Sequence, residues 1–176
     1  MNPLKISLFL IVTASGTLTA QDYTSVCREQ MNSLSQLAGQ WHGNATITQP
    51  GGVVVHVAQE ETIEYKLDSL LLQVEGVGRN KTDLSNISFH ALAMINYNAS
   101  KKNYEMKSYL KDGKQTDAFF RIVEQNRYDW GFDVPGGKVI YHIVIDPVKR
   151  TWMEKGEFSR DGTTWYPFFE MNLTRK

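Results

Sequence analysis

The chain has 176 residues with 19 basic and 19 acidic side chains, so its formal charge is zero. That balance speaks against a nucleic-acid binder, which carries a basic excess to neutralise phosphates. A hydrophobic share of 41% with 22% charged residues excludes a disordered chain, and a single cysteine excludes both an intrachain disulfide and a multi-cysteine zinc site.

The first twenty residues differ from the rest. Met1–Lys5 carries one positive charge, Ile6–Val12 is an apolar run, and small residues lead to Ala20 ahead of Gln21. A basic start, a short apolar centre and a small residue at the cut mark a secretory signal peptide. The apolar run is shorter than the roughly 20 residues a bilayer-crossing helix needs. The expected layout is a signal peptide over 1–20 and one domain over 21–176. The protein is then secreted or periplasmic, with no transmembrane segment after signal removal. Loss of Lys5 leaves the mature chain at a formal charge of −1. Five Asn-x-Ser/Thr sequons, at Asn44, Asn80, Asn86, Asn98 and Asn172, are glycan acceptors only in a eukaryotic secretory pathway.

Residues Thr24–Leu37 read as one helix. Ser25 stands at the capping position, Val26, Met31, Leu34 and Leu37 share one face, and Gly39 ends it. The lone Cys27 is expected as a half-buried thiol on this helix.

From Trp41 the pattern changes to period two, broken by turn signals. Ten strands are predicted: Trp41–Thr48, Val53–Lys66, Leu70–Arg79, Ile87–Tyr97, Asn103–Leu110, Thr116–Glu124, Arg127–Val134, Lys138–Ile145, Arg150–Ser159 and Trp165–Arg175. Gly51-Gly52, Asp112-Gly113, Gly136-Gly137 and Asp161-Gly162 supply the hairpin chemistry between them. Such a meander leaves two open edges unless it closes on itself. The expected fold is therefore all-β: an antiparallel up-and-down β-barrel of about ten strands, preceded by one N-terminal helix. Ten strands make a barrel wide enough for a small ligand cavity.

Leu37-Ala38-Gly39-Gln40-Trp41-His42-Gly43 resembles the Gly-x-Trp opening of the calycin superfamily, which holds the lipocalins, the fatty-acid-binding proteins and the nitrobindin-like haem barrels. The closing segment, from Glu157-Phe158-Ser159-Arg160-Asp161-Gly162 through Trp165-Tyr166-Pro167-Phe168-Phe169 to Arg175, resembles uncharacterised bacterial lipocalin-like domains. The resemblance implies that Trp41 packs at the closed end of the barrel against a basic residue of the last strand, for which Arg175 is in place. It implies a cavity and leaves the ligand unnamed.

No nucleophile elbow, zinc-protease helix, phosphate loop or dinucleotide fingerprint occurs, so the chain reads as a binding protein and not as an enzyme. His42, His56, His90 and His142 show no metal-pair spacing. A metal site would need Glu61, Glu154 or Glu170 brought across strands, and none is assigned. The residues expected to line a ligand site are Tyr104, Met106, Phe119, Arg121, Trp130, Trp152 and Glu154. Together they make an apolar wall with a few polar groups, the usual form of such sites. Arg121, if inward, needs an anionic partner, either Glu154 or a ligand carboxylate. If outward, it is an ordinary surface arginine.

The leading expectation is an exported barrel that binds a small apolar or amphipathic molecule such as a fatty acid or lipid. The resemblance to nitrobindin-like barrels offers an alternative, haem binding with His142 as proximal ligand, against a plain packed strand histidine. Two further alternatives stay open: a barrel enzyme using Glu154 or Glu170 as acid or base, and a barrel filled by its own side chains. Cofactor and oligomeric state stay open.

Overall fold

The computed structural model describes residues 23–176; the expected signal peptide lies outside them. Helix α1 spans Tyr23–Asn32. Ten strands follow: β1 Gly39–Thr48, β2 Val54–Lys66, β3 Leu71–Asn80, β4 Asp83–Asn98, β5 Asn103–Leu110, β6 Gln115–Glu124, β7 Arg127–Val134, β8 Gly137–Asp146, β9 Thr151–Ser159 and β10 Tyr166–Arg175. Each strand pairs antiparallel with its neighbours in sequence, and β1 also pairs with β10, so the sheet closes. Closure gives every strand two partners and leaves no edge for a second chain to extend.

Alternation fixes which side chains enter the barrel. On β1 Trp41 and Ala45 are buried, on β2 Val57, Gln59, Glu61 and Ile63, and on β9 Trp152 and Glu154, while their neighbours in sequence face out. Asn44 and Asn172, two of the sequons, are exposed and stand opposite each other on β1 and β10.

The helix is shorter than the sequence predicts. After Asn32 the chain tightens into turns with three-residue hydrogen bonds, from Ser33 N to Gln30 O and from Leu37 N to Leu34 O. This segment plugs one end of the barrel, with Met31, Leu34 and Leu37 fully or almost fully buried. A helix end leaves carbonyls without partners, and burial makes that expensive unless side chains supply donors. Here Tyr104 donates to Gln30 O at 2.8 Å and Tyr65 to Met31 O at 2.7 Å. Trp41 Nε1 donates to Leu37 O at 2.8 Å and Arg175 to Gln36 O at 2.5 Å. Cys27 is buried rather than half-buried, and its thiol donates to Tyr97 O at 3.4 Å.

The contact implied by the resemblance is present at this closed end. Arg175 lies 4.5 Å above the Trp41 ring, and Trp152 meets Trp41 edge-on at 5.6 Å. Trp41 therefore joins plug, first strand, ninth strand and last strand in one contact set.

Candidate functional site

Above the plug the barrel holds a cavity of about 220 Å³. Its floor is apolar, with Leu37, Ile63, Ile95, Phe120 and Ile143, and its outer wall carries Ile47, Phe89 and Phe168. Phe89 is 37% exposed, which places it at the mouth. Small residues on β3 and β4 (Gly76, Ala91 and Ala93) keep the interior from filling.

Two carboxyl groups stand in the middle of this apolar space. Glu154 on β9 is 5% exposed and both of its oxygens are held: Trp130 Nε1 donates to Oε1 at 2.8 Å and Trp152 Nε1 to Oε2 at 3.2 Å. Glu61 on β2 is 8% exposed, and its Oε1 accepts from Gln59 Nε2 at 2.8 Å. The Glu61 carboxylate rests on the backbone of Gly76, where an added Cβ would lie 2.7 Å from Oε1. Glycine is the residue that permits this approach, because any side chain there occupies the carboxylate's place. Gly156 does the same for the Tyr141 ring, with an added Cβ at 2.7 Å.

Burial disfavours the charged form of both acids. It raises Glu61 from 4.5 to about 8, against the Gln59 hydrogen bond and with help from the Glu154 charge. It raises Glu154 from 4.5 to about 7, against the two indole N–H groups. Tyr141, which also lines the cavity, is pushed well above the usual tyrosine range by burial and then by Glu154. The ring of Tyr141 stacks on Trp130 at 4.0 Å with an interplanar angle of 5°, and Phe168 and Phe169 meet it edge-on. The site thus offers acidic acceptors framed by aromatic faces.

Of the residues expected from sequence, Met106, Trp130, Trp152 and Glu154 line the cavity. Tyr104 points inward but sits lower, its hydroxyl engaged by the plug. Phe119 and Arg121 do not enter; both stand on the outer face of β6, where Arg121 lies 5.5 Å above the Phe119 ring. The reason is a bulge. A plain two-residue turn at Gln125-Asn126 would put Arg121 opposite Trp130 and Phe119 opposite Phe132, on the inward face. An irregularity between Ile122 and Glu124 shifts the pairing by one residue, so Phe120 faces Trp130 and Arg121 faces Asp129. A one-residue slip reverses every side chain of the strand.

The anionic partner of Arg121 is accordingly Asp129, at 2.5 Å, and neither Glu154 nor a ligand. His142 belongs to the same outer cluster, with Nδ1 at 2.6 Å from Asp129 and Nε2 at 3.5 Å from Glu157. It faces away from the cavity, opposite to Tyr141, so its ring is not placed to ligate haem held inside the barrel. His42 and His56 are exposed, and His90 pairs with Glu75 at 2.8 Å. Glu170 is exposed and accepts from Asn172. Among the described residues no group of three or more His, Cys, Asp or Glu side chains is placed to hold a metal ion.

Sequence reasoning considered Glu61 only as a metal partner and passed over Gln59. Both share the odd-numbered face of β2 with the buried Val57 and Ile63. Two polar residues within an otherwise apolar inward stripe were the available signal, obscured because Glu60 makes the outer face acidic too.

No protein-family profile matches the chain, and no curated protein matches it in sequence. Solved structures do share its fold. Rv2717c from M. tuberculosis superposes with a TM-score of 0.62 at 11% identity, over 83% of this chain and 96% of the other. The S-type phycobiliprotein lyase CPES from Guillardia theta gives 0.58 at 9% identity, over 85% and 93%. These likenesses, with the ten-stranded antiparallel barrel, fit a calycin-like fold.

Proposed function

We propose that this protein is an exported binding barrel that carries a small apolar or amphipathic molecule in its interior. The observation behind this reading is the cavity: about 220 Å³, apolar at floor and mouth, with its polar groups gathered at mid-height. Binding then works by removing the ligand's apolar surface from water, roughly 25 cal/mol per Å² before ordering costs, while the polar groups fix its orientation. The basic start, apolar run and small residues of Met1–Ala20 support export. Mass spectrometry of the secreted or periplasmic product should find Gln21 at its N-terminus.

Displacement of an apolar fluorescent dye, with solvent extraction of the purified protein, tests the binding reading. Saturable binding should be lost in Ala91→Trp, which fills the cavity, while far-UV circular dichroism stays unchanged. Absence of saturable binding in the unaltered protein overturns the reading.

A second reading has the same cavity carry out acid–base chemistry. Glu154, raised to about 7, favours it, because a carboxyl that titrates near neutrality can both give and take a proton. The phycobiliprotein lyase that shares this fold is an enzyme by name. Recovery of an extracted ligand with its mass unchanged after prolonged incubation favours the carrier; conversion to a second species favours the enzyme.

A further inference from the structure

We infer that the cavity takes an amphiphile whose polar end is a cationic nitrogen, an alkylamine rather than a fatty acid. This rests on the binding reading above and specifies the chemistry of the polar end. Among the described residues no lysine, arginine or histidine lines the cavity, whereas Glu61 and Glu154 both do. The arginine that a fatty-acid carboxylate would need is outside the barrel, paired with Asp129. An entering carboxylate would therefore bring a third acid into a space of low dielectric, where like charges repel strongly.

An ammonium group meets the opposite situation. Glu154 is held in place by two indole N–H donors, so its charge is fixed in position before any ligand arrives. Glu61 accepts from Gln59 through Oε1, and among the described residues no hydrogen bond reaches its other oxygen, which is left to the cavity. A buried carboxyl with a free acceptor suits the N–H of a charged donor, and charge-assisted bonds of this kind are about twice as strong as neutral ones. The Trp130 and Tyr141 rings stack on each other beside Glu154, so aromatic rings rather than basic side chains surround its carboxyl. Ile47, Phe89 and Phe168 lie on the way out and match an alkyl tail. Burial in the same apolar space raises the proton affinity of both acids, so below their titration a proton neutralises each carboxyl that an ammonium would otherwise pair with. Binding of R–NH₃⁺ then releases a proton to solvent.

Isothermal titration of the purified protein with decylamine, decanol and decanoic acid tests this, since the three share one tail and differ in the head. At pH 8.5 decylamine should bind at least about tenfold more tightly than decanol, the equivalent of one charge-assisted hydrogen bond. Decanoic acid should bind weakest. Lowering the pH to 6 protonates the carboxyls while the amine stays charged, and decylamine affinity should fall about tenfold for one coupled proton. Glu61→Gln and Glu154→Gln should each reduce the ratio of amine to alcohol affinity. If decanol binds but decanoic acid matches or exceeds decylamine in the unaltered protein, the inference is overturned and the binding reading stands. If none of the three binds, the binding reading itself falls. The three-ligand comparison needs no variant, so a misfolded variant does not remove the test.

Discussion

Replacing Glu61 by glutamine should make the protein more stable in alkaline solution and leave it nearly unchanged in acid. In the unfolded chain this carboxyl loses its proton near its ordinary value of 4.5, whereas in the folded barrel it keeps the proton until about pH 8. Between those values the folded state binds more protons than the unfolded state, so stability falls as pH rises, and it levels off above about pH 8. The gap corresponds, at about 1.4 kcal/mol per pH unit, to a loss of roughly 5 kcal/mol at full ionisation. Part of it is repulsion from Glu154, and water entering from the open mouth screens another part, so a gain of about 2–4 kcal/mol for Glu61→Gln at pH 9 is expected. Glutamine keeps an oxygen for the Gln59 donor, so that hydrogen bond survives the change. Urea unfolding of both proteins at pH 5, 7 and 9, followed by tryptophan fluorescence, gives the difference directly. Other titrating groups cancel in that difference. Two stability profiles that run parallel from pH 5 to pH 9 would refute the assignment of Glu61 as a buried, proton-retaining acid.

Trp41→Ala should lower stability by about 3–5 kcal/mol, the usual loss for a large buried aromatic. The change also frees Leu37 O from its donor and removes the ring under Arg175; thermal melting measures it, and a loss below about 1 kcal/mol would contradict the closing role given to Trp41. Tyr128→Phe should be neutral or stabilising by up to about 1 kcal/mol, because among the described residues the buried Tyr128 hydroxyl has no hydrogen-bond partner. Denaturant unfolding checks this, and a clear destabilisation would show that the hydroxyl has a partner in solution.

Much of the architecture was legible in the chain itself. Period-two alternation after Trp41, with glycine and aspartate pairs at the turns, fixed the number and order of strands, because a half-buried strand must alternate and a tight hairpin must have residues that tolerate its backbone. The same alternation placed Trp130, Trp152 and Glu154 indoors. The Gly-x-Trp opening located the closed end, where Trp41 and Arg175 do meet. Local pattern failed where the outcome depended on pairing between strands. The bulge between Ile122 and Glu124 costs one residue of register, invisible in the sequence of either strand alone, and it turned Phe119 and Arg121 to the solvent. His142 faces outward for a separate reason: the regular pairing of β7 with β8 sets it opposite Asp129, on the outer face of both strands, where the carboxylate holds its ring. The length of the helix was decided by the plug it forms, since Tyr65 and Tyr104 take its last carbonyls. Closure of the sheet brought β2 beside β3 and β9 into one interior, and only there do Glu61, Gly76 and Glu154 share a cavity. Composition gave a chain of zero formal charge. The tertiary structure distributed that charge unevenly: among the described residues that line the cavity there are two carboxyls and no basic side chain, and the bulge left Arg121 on the other side of the sheet.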